Sequence, residues 1–364
     1  MRRDDQPPIE SHRSIPEIHL YTYTAASTSK LNRHQTQLTT VLEKTTKLSR
    51  SSLTFLILKT NKIDPLYIIP RKKKQQCGSV ITNLLKENAD VEILAVTRDV
   101  NSSSATKLAA KSPKIKLVQG NLDQADELFE NAKKISASPI WGVFSVQVAD
   151  LSGKEDTEEE QGKALVNVSL KNNVKHFVYS SVDRGNQASL ENPTHIPHFI
   201  HKHHIEHHLI NSTKGTDMQW TILRPVAFID GFTNDFMGKV FNTAWKVSLK
   251  GKPLQVVAVS DIGFFAAQAF IKSNQYSGKA VSIASDELTF DEMARIFKNK
   301  TGKDLPTTFD FIARFVMWMV TDLGKMFRWF HDEGYKANIQ ELRKVHPGLK
   351  DFRSWLETDS AWKN

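Results

Sequence analysis

From about residue 65 onward, short β-branched runs alternate with segments of helical spacing, and few folds accommodate that pattern. Residues 91–97 (VEILAVT), 115–118, 141–148 and 176–181 (HFVYSS) read as strands, as do residues 220–223, which end at Arg224 and Pro225. Residues 66–69 form a further short apolar run. Between them, residues 79–86 carry Val80, Ile81, Leu84 and Leu85 at helical spacing, and residues 197–211 place Ile205 and Leu209 one turn apart. Thr157 opens another helix: Glu160 stands three residues on, a capping-box pattern. The acids Asp156, Glu158, Glu159 and Glu160 suit the positive end of its dipole. Such alternation implies a mostly parallel sheet with helices on both faces and right-handed crossovers. Fold class α/β, doubly wound, is therefore the expectation.

Further along, Asp261 is placed to N-cap the helix IGFFAAQAF, and residues 290–298 have helical spacing. Residues 308–330 are rich in Phe, Met and Trp. Phe311, Phe315, Trp318, Phe327 and Phe330 are expected mostly in the core, with the remainder lining an apolar pocket. Residues 1–52 are instead rich in Ser, Thr, Gln and Asn without periodicity, so residues 1–64 read as a poorly ordered extension. Their Ser/Thr-rich, mildly basic cast is that of a transit peptide, but Asp4, Asp5, Glu10 and Glu17 speak against one.

Several function classes fall away on composition. Cys77 is the one cysteine among 364 residues, so no intramolecular disulfide forms, and a cytoplasmic location, with the nucleus as a second, is expected. The most apolar stretch, residues 53–69, is broken by Lys59, Lys62 and Asp64, which excludes a membrane span. Arg2, Arg3, Asp4 and Asp5 are not followed by the apolar stretch of a secretory signal. The net charge of +9 is scattered, apart from the run Arg71, Lys72, Lys73, Lys74, so direct nucleic-acid binding is not expected. No GxSxG elbow, P-loop or HExxH string is present, and no repeat.

The strings VEILAVTRD, HFVYSSVDRG, NPTHIPHFIHKHHIEHHL, WTILRPVAFID and KPLQVVAVSDIGFFAAQAF, in that order, together resemble the NmrA-like family of atypical short-chain dehydrogenases/reductases, over residues 75 to 360. The resemblance implies an NAD(P)-binding Rossmann core over about residues 65–250, a smaller C-terminal α/β lobe over about 225–364, and NADP as cofactor. It also implies one of two roles: a redox-sensing regulator that binds another protein, or a quinone or enone reductase.

A Rossmann domain holds the dinucleotide pyrophosphate on a tight glycine-rich turn between its first strand and first helix. The family's loop looks like GATGxQGGSV; the matching stretch is RKKKQQCGSV, residues 71–80. Gln76, Gly78, Ser79 and Val80 fit, but Arg71, Lys74 and Cys77 replace the fingerprint glycines. Side chains at those positions cannot take positive φ cheaply and bring a Cβ towards the ligand. Two readings stay open: weakened or lost dinucleotide binding, which extends to a scaffold that binds nothing, and an incorrect N-terminal sequence joined to a correct body near residue 75.

The rest of the cofactor site is carried over residue by residue. Arg98, after the VEILAVT strand, sits where a basic residue admits the ribose 2′-phosphate of NADP. Asn121 matches a position near the adenine, Gln147 a loop over the nicotinamide ribose, and Phe228 with Asp230 a segment flanking the nicotinamide. In catalytic relatives a Tyr-x-x-x-Lys pair supplies the acid and orients the ribose. Here it reads His198-Phe-Ile-His-Lys202, so Lys202 keeps the ribose role and His198 stands as a candidate proton relay. Lys202 and Glu206 also have the spacing of a plain helical ion pair. Seven histidines lie between His195 and His208; His203/His207 and His204/His208 have chelating spacing, but a polar helix face is the better reading and no metal site is expected. Ser180 and Ser181 end a strand where a serine polarises a carbonyl in related enzymes, a role not assigned without the Tyr. The resulting expectation is an NADP(H)-responsive regulator acting through a protein partner, with an NADPH-dependent reductase as the alternative.

Overall fold

The computed structural model describes residues 54–59, 74–136, 138–147 and 157–362, all within the second of two compact units, Ser52–Asn364. The elements run β1 (Thr54–Lys59), α1 (Lys74–Lys86), β2 (Glu92–Thr97), α2 (Ser103–Ala109), β3 (Ile115–Gln119), α3 (Ala125–Ile135), β4 (Gly142–Ser145), α4 (Thr157–Lys171), β5 (His176–Ser180) and α5 (Pro197–Ser212). Next come β6 (Gln219–Pro225), β7 (Ala227–Phe228), α6 (Phe236–Leu249), β8 (Leu254–Val257), α7 (Val259–Ile271), α8 (Ser273–Tyr276), β9 (Lys279–Ile283) and β10 (Asp286–Leu288). The chain closes with α9 (Phe290–Thr301), α10 (Asp310–Met319), α11 (Thr321–Asp332), α12 (Ile339–Val345) and α13 (Phe352–Thr358).

Seven strands form one sheet in the order β3-β2-β1-β4-β5-β6-β9, and β10-β8-β7 form a second. The pairs β2–β3, β4–β5, β5–β6 and β6–β9 are parallel, which gives the expected doubly wound α/β fold. Every residue of β4 and β5 is buried, as strands covered by helices on both faces must be.

The first strand departs from expectation in place and in direction. It comes from residues 54–59, inside the segment read as an extension, and it runs antiparallel to both neighbours. Thr54 pairs with Thr97, the last residue of β2, and Lys59 with Glu92, its first. The other expectations for residues 1–53 and 60–73, including the apolar run at 66–69, lie outside the described residues.

Helices α1 and α7 pack closely near their N-terminal ends. A Cβ on Gly263 would stand 2.0 Å from Ser79 Oγ and 2.5 Å from the Ser79 carbonyl carbon, so only glycine admits this approach. Ser79 Oγ donates to Ser260 O at 3.1 Å. Asp261, expected as the N-cap of α7, lies instead in its first turn, buried: it accepts from Lys350 N at 3.0 Å and stands 3.2 Å from His346 Nε2. It ties the C-terminal segment to the core. The aromatic segment divides in two: Phe327 and Phe330 of α11 are buried, whereas Phe311 (69% exposed), Phe315 and Trp318 (76%) form an outward row on α10. The expectation that most are core fails because α10 packs through Ala313, Val316 and Met317, on its opposite side.

A buried histidine in β5 gives the fold a pH dependence. His176 stacks on Trp141 at 5.7 Å, and burial pushes its pKa down to about 4. The Thr221 hydroxyl donates to Tyr276 O at 2.9 Å, so it accepts from His176 Nε2–H at 3.1 Å, which fixes the neutral tautomer. A base whose folded pKa lies below its unfolded value of 6.5 contributes stability that is complete above pH 6.5 and is lost as pH falls towards 4. Between pH 7 and pH 5 the loss from this residue is about 2 kcal/mol. Denaturant unfolding of the His176→Phe protein is expected to show a correspondingly flatter dependence; an unchanged slope against pH would remove His176 from the account.

Candidate functional site

The C-terminal ends of the parallel strands gather nearly all the residues expected to touch a cofactor. Arg98 follows β2, Gly120 and Asn121 follow β3, Gln147 lies just beyond β4, and Ser180 and Ser181 close β5. The first turn of α1 reaches the same edge, because Gln76 Oε1 accepts from Ser180 Oγ at 2.9 Å. Gly78 is therefore on a helix and not in a loop, with open space where a Cβ would stand.

Beyond β2 and β3, where the resemblance places the adenosine, a cavity of about 540 Å³ is lined by Arg98, Gly120, Asn121, Gln124, Glu127 and Lys134, among others. Asn121 Nδ2 donates to Asp123 Oδ2 at 2.6 Å, which fixes the orientation of the amide. Its Oδ1 is buried and has no hydrogen-bond donor among the described residues. Gly120 lets β3 turn under Leu128: a Cβ there would lie 2.6 Å from Leu128 Cδ1.

The edge beyond β4 and β5, where the resemblance places the nicotinamide, is built differently. Lys202 Nζ is 2.6 Å from Glu158 Oε1, and both side chains are buried. Glu158, which suits the α4 dipole by its position, does stand in the first turn of α4 but faces inward. Close packing of α4 on α5 brings the two together. Gly162 makes that possible, since a Cβ there would be 2.4 Å from Ile205 Cδ1. Lys202 and Glu206 do not pair with each other. Glu206 lies between Arg184 Nη2 at 3.0 Å and Arg224 Nη2 at 2.6 Å, and accepts from Ser181 Oγ. Burial disfavours its charge, but the Arg184 and Arg224 guanidinium groups outweigh that, and its pKa lies below the usual carboxylate value. This Arg–Glu–Arg cluster was not foreseen; its members are far apart in the chain and no spacing announces them.

Tyr179 lies beneath Lys202, whose Nζ is 5.9 Å from the ring centroid. Its hydroxyl is buried without a hydrogen-bond partner among the described residues. Burial first, then Glu158 and Glu206, push its pKa well above 10, so it does not replace the missing catalytic tyrosine as a base. His198 Nδ1 is 2.7 Å from Asp322 Oδ2 on α11, a link between α5 and α11. Gln147 is buried, with Nε2 donating to Ser145 Oγ at 2.8 Å. Phe228 is half-buried in β7, and Asp230 Oδ2 accepts from Val259 N at 2.8 Å at the start of α7.

The histidines of α5 are engaged separately. Nε2 of His203 and of His207 lie 2.9 and 2.7 Å from the same carbonyl, Leu190 O; His204 contacts Glu159 and His208 contacts Asn167. Among the described residues no three His, Cys, Asp or Glu side chains converge as metal ligands.

An extended dinucleotide fits this edge only in part. The edge beyond β2 and β3 has a cavity and a buried acceptor, Asn121 Oδ1, without a donor among the described residues. The cradle does not fit: β1 ends at Lys59, beside the start of β2, at the opposite edge of the sheet from the first turn of α1. Among the described residues β1 does not lead directly into α1, as the strand of a glycine-rich cradle does. At the far end, Lys202 is already matched by Glu158.

The family model described as the NmrA-like family matches residues 75–356. An NmrA-like family domain-containing oxidoreductase of Aspergillus hancockii is 26% identical over 243 residues, 63% of this chain and 70% of that protein. An NmrA-like family domain-containing protein of Dictyostelium discoideum is 24% identical over 290 residues, 78% and 92% of the two chains. Among solved structures, the Citrobacter sp. triphenylmethane reductase aligns with TM-score 0.59 at 18% identity, over 78% of this chain and 94% of that one. NmrA, a negative transcriptional regulator solved with NAD, aligns with TM-score 0.54 at 14% identity, over 78% and 92%. At these identities the structural matches speak for the fold alone. No helix among the described residues is long and apolar enough to cross a membrane.

Proposed function

We propose, from the premise that this chain belongs to the NmrA-like family, that it is an NADP(H)-binding regulator which works through protein contacts and does not turn the nucleotide over. The observation that carries this reading is the buried Lys202–Glu158 pair at 2.6 Å. The ammonium that would orient a nicotinamide ribose is neutralised inside the protein, and His198, at the place of the catalytic tyrosine, is held by Asp322. Neither side chain is offered to a substrate. Arg98 supports a preference for the 2′-phosphorylated cofactor. The exposed row Phe311, Phe315, Trp318 on α10, extended by Phe309 and Met319, supports a protein partner, because aromatic side chains concentrate binding energy when covered.

A second reading, an NADPH-dependent reductase, draws on the names of relatives: the Aspergillus relative is an oxidoreductase and the Citrobacter structure is a reductase complexed with NADP(H). The full chain, incubated with NADPH and a panel of quinones, enones and a triphenylmethane dye, separates the two. No NADPH oxidation above the protein-free rate is expected. Turnover of any acceptor at about 1 per second or faster, an ordinary enzyme rate, would establish the reductase instead.

A further inference from the structure

We propose that the outward side of α10 is where two copies of this chain associate, helix against helix across a two-fold axis. The inference rests on the reading of this row as a protein-contact surface and names its occupant. Phe309, Phe311, Phe315, Trp318 and Met319 are between 44% and 76% exposed. The rings lie against one another along the row: Phe309 and Phe311 stack with centroids 5.8 Å apart, and Phe315 and Trp318 are also 5.8 Å apart. The opposite side of α10 is apolar too, with Ala313 buried and Val316 and Met317 packed on the core. A helix that is apolar on both sides is one that needs cover on both sides.

The helix is fixed at both ends. Just ahead of it, Thr308 N donates to Thr243 Oγ1 of α6 at 2.9 Å; nearer its other end, Ser248 Oγ donates to Met317 Sδ at 3.5 Å. There α11 closes in so tightly that a Cβ on Gly324 would lie 2.5 Å from Met317 O. The aromatic side chains are therefore presented on a rigid support, which lowers the ordering cost of covering them.

Spacing, charge and area each favour a second copy as the cover. Phe311, Phe315 and Trp318 stand at i, i+4 and i+7, the spacing of a helix–helix seam, so the matching surface is another helix of the same pattern. In an antiparallel pair about a two-fold axis, Phe315 meets its own copy while Phe311 meets Trp318 of the second chain. The exposed charges of α10 are one acid, Asp310, and one base, Arg314. A surplus of base would suit an acidic peptide or an anionic bilayer, whereas a face that meets itself must avoid an excess of either sign. Large apolar side chains of about 150–250 Å² each, at these exposures, offer roughly 600 Å² per chain. Two chains then cover roughly 1,200 Å², where stable interfaces begin.

Sedimentation equilibrium of the full chain, from about 0.1 to about 50 µM, tests this. A species of twice the 41.3 kDa chain mass is expected, with a dissociation constant of about 10 µM or tighter. Phe315 is exposed, so substitution there is expected to leave the fold intact, which the denaturant midpoint at about 0.1 µM checks. Phe315→Glu and Phe315→Lys, each alone, are expected to be monomers, with self-affinity at least about 100-fold weaker than the parent's. Mixed in equal amounts they are expected to recover a dimer, because only opposite charges then meet at the axis. A parent chain that is monomeric at about 50 µM would overturn the proposal, whether or not it sediments with phosphatidylcholine–phosphatidylserine vesicles. So would a dimer that survives both substitutions, or two monomeric variants that stay monomeric when mixed. NADPH turnover with the acceptor panel, by contrast, would overturn the regulatory reading and leave the dimer standing.

Discussion

Replacing Glu206 by glutamine is expected to lower the folding stability of this chain by roughly 3–5 kcal/mol. The substitution conserves shape and removes one negative charge from between two guanidinium groups that are themselves buried. Removing one partner of a buried ionic cluster leaves the others uncompensated where water cannot screen them. Arg184 keeps hydrogen bonds to Ser189 O, Asn192 O and Val182 O, which limits the damage but does not neutralise its charge. A pH signature accompanies the loss. The folded pKa of Glu206 lies below its ordinary value of 4.5, so the stability it contributes is present above about pH 4.5 and disappears as pH falls through the folded pKa. The glutamine protein is expected to lack that acid limb. Denaturant unfolding measures both effects; a loss under about 1 kcal/mol, the range of exposed ion pairs, would mean that the cluster is solvated after all.

The Lys202–Glu158 pair carries the second large effect. Lys202→Met alone is expected to cost roughly 3–5 kcal/mol, because Glu158 remains buried. Adding Glu158→Leu to the same chain is expected to recover most of that loss, since apolar replacements of a buried pair are often neutral or better. The comparison also separates two roles for the lysine. If Lys202 is bound to Glu158 and not to a ribose, the double variant keeps the NADPH affinity of the parent. If the lysine holds cofactor, the double variant folds well and binds at least about tenfold more weakly, the usual scale for losing a charged hydrogen bond.

The fold was legible where the sequence speaks locally. β2, β5 and β6 announce themselves because strands covered on both faces are largely apolar runs, β3 by Ile115, Leu117 and Val118 although Lys116 and Gln119 are exposed, and α5 because Ile205 and Leu209 sit one turn apart. Residues 54–59 were passed over because an apolar run flanked by lysines and polar low-complexity sequence has no local mark of being central. Nor does any local rule give a strand its direction, which depends on partners 33 and more residues away. At the site, Arg98 and Asn121 were readable as positions after strands. Lys202 was readable as a residue but not in its engagement: spacing pointed to Glu206 on the same helix, whereas packing of α4 supplied Glu158 from 44 residues upstream. Glu158 itself satisfied the helix-dipole rule so well that nothing suggested burial. On α10 the density of aromatics indicated a core, and only its packing against α6 shows which side is left outside.

The reversed first strand has a consequence in time as well as in space. Both of its partners lie downstream, β2 beginning at Glu92 and β4 at Gly142. As the polypeptide leaves the ribosome, TFLILK emerges before either ladder exists; pairing with β2 becomes possible only after Thr97 and with β4 only after Ser145. Domains generally assemble from the N-terminal side during synthesis, and waiting apolar strands are where nascent chains associate wrongly. For this protein the middle of the sheet is completed from the earliest-made piece by a late event, so the interval between synthesis of β1 and of β4 is when a chaperone matters most.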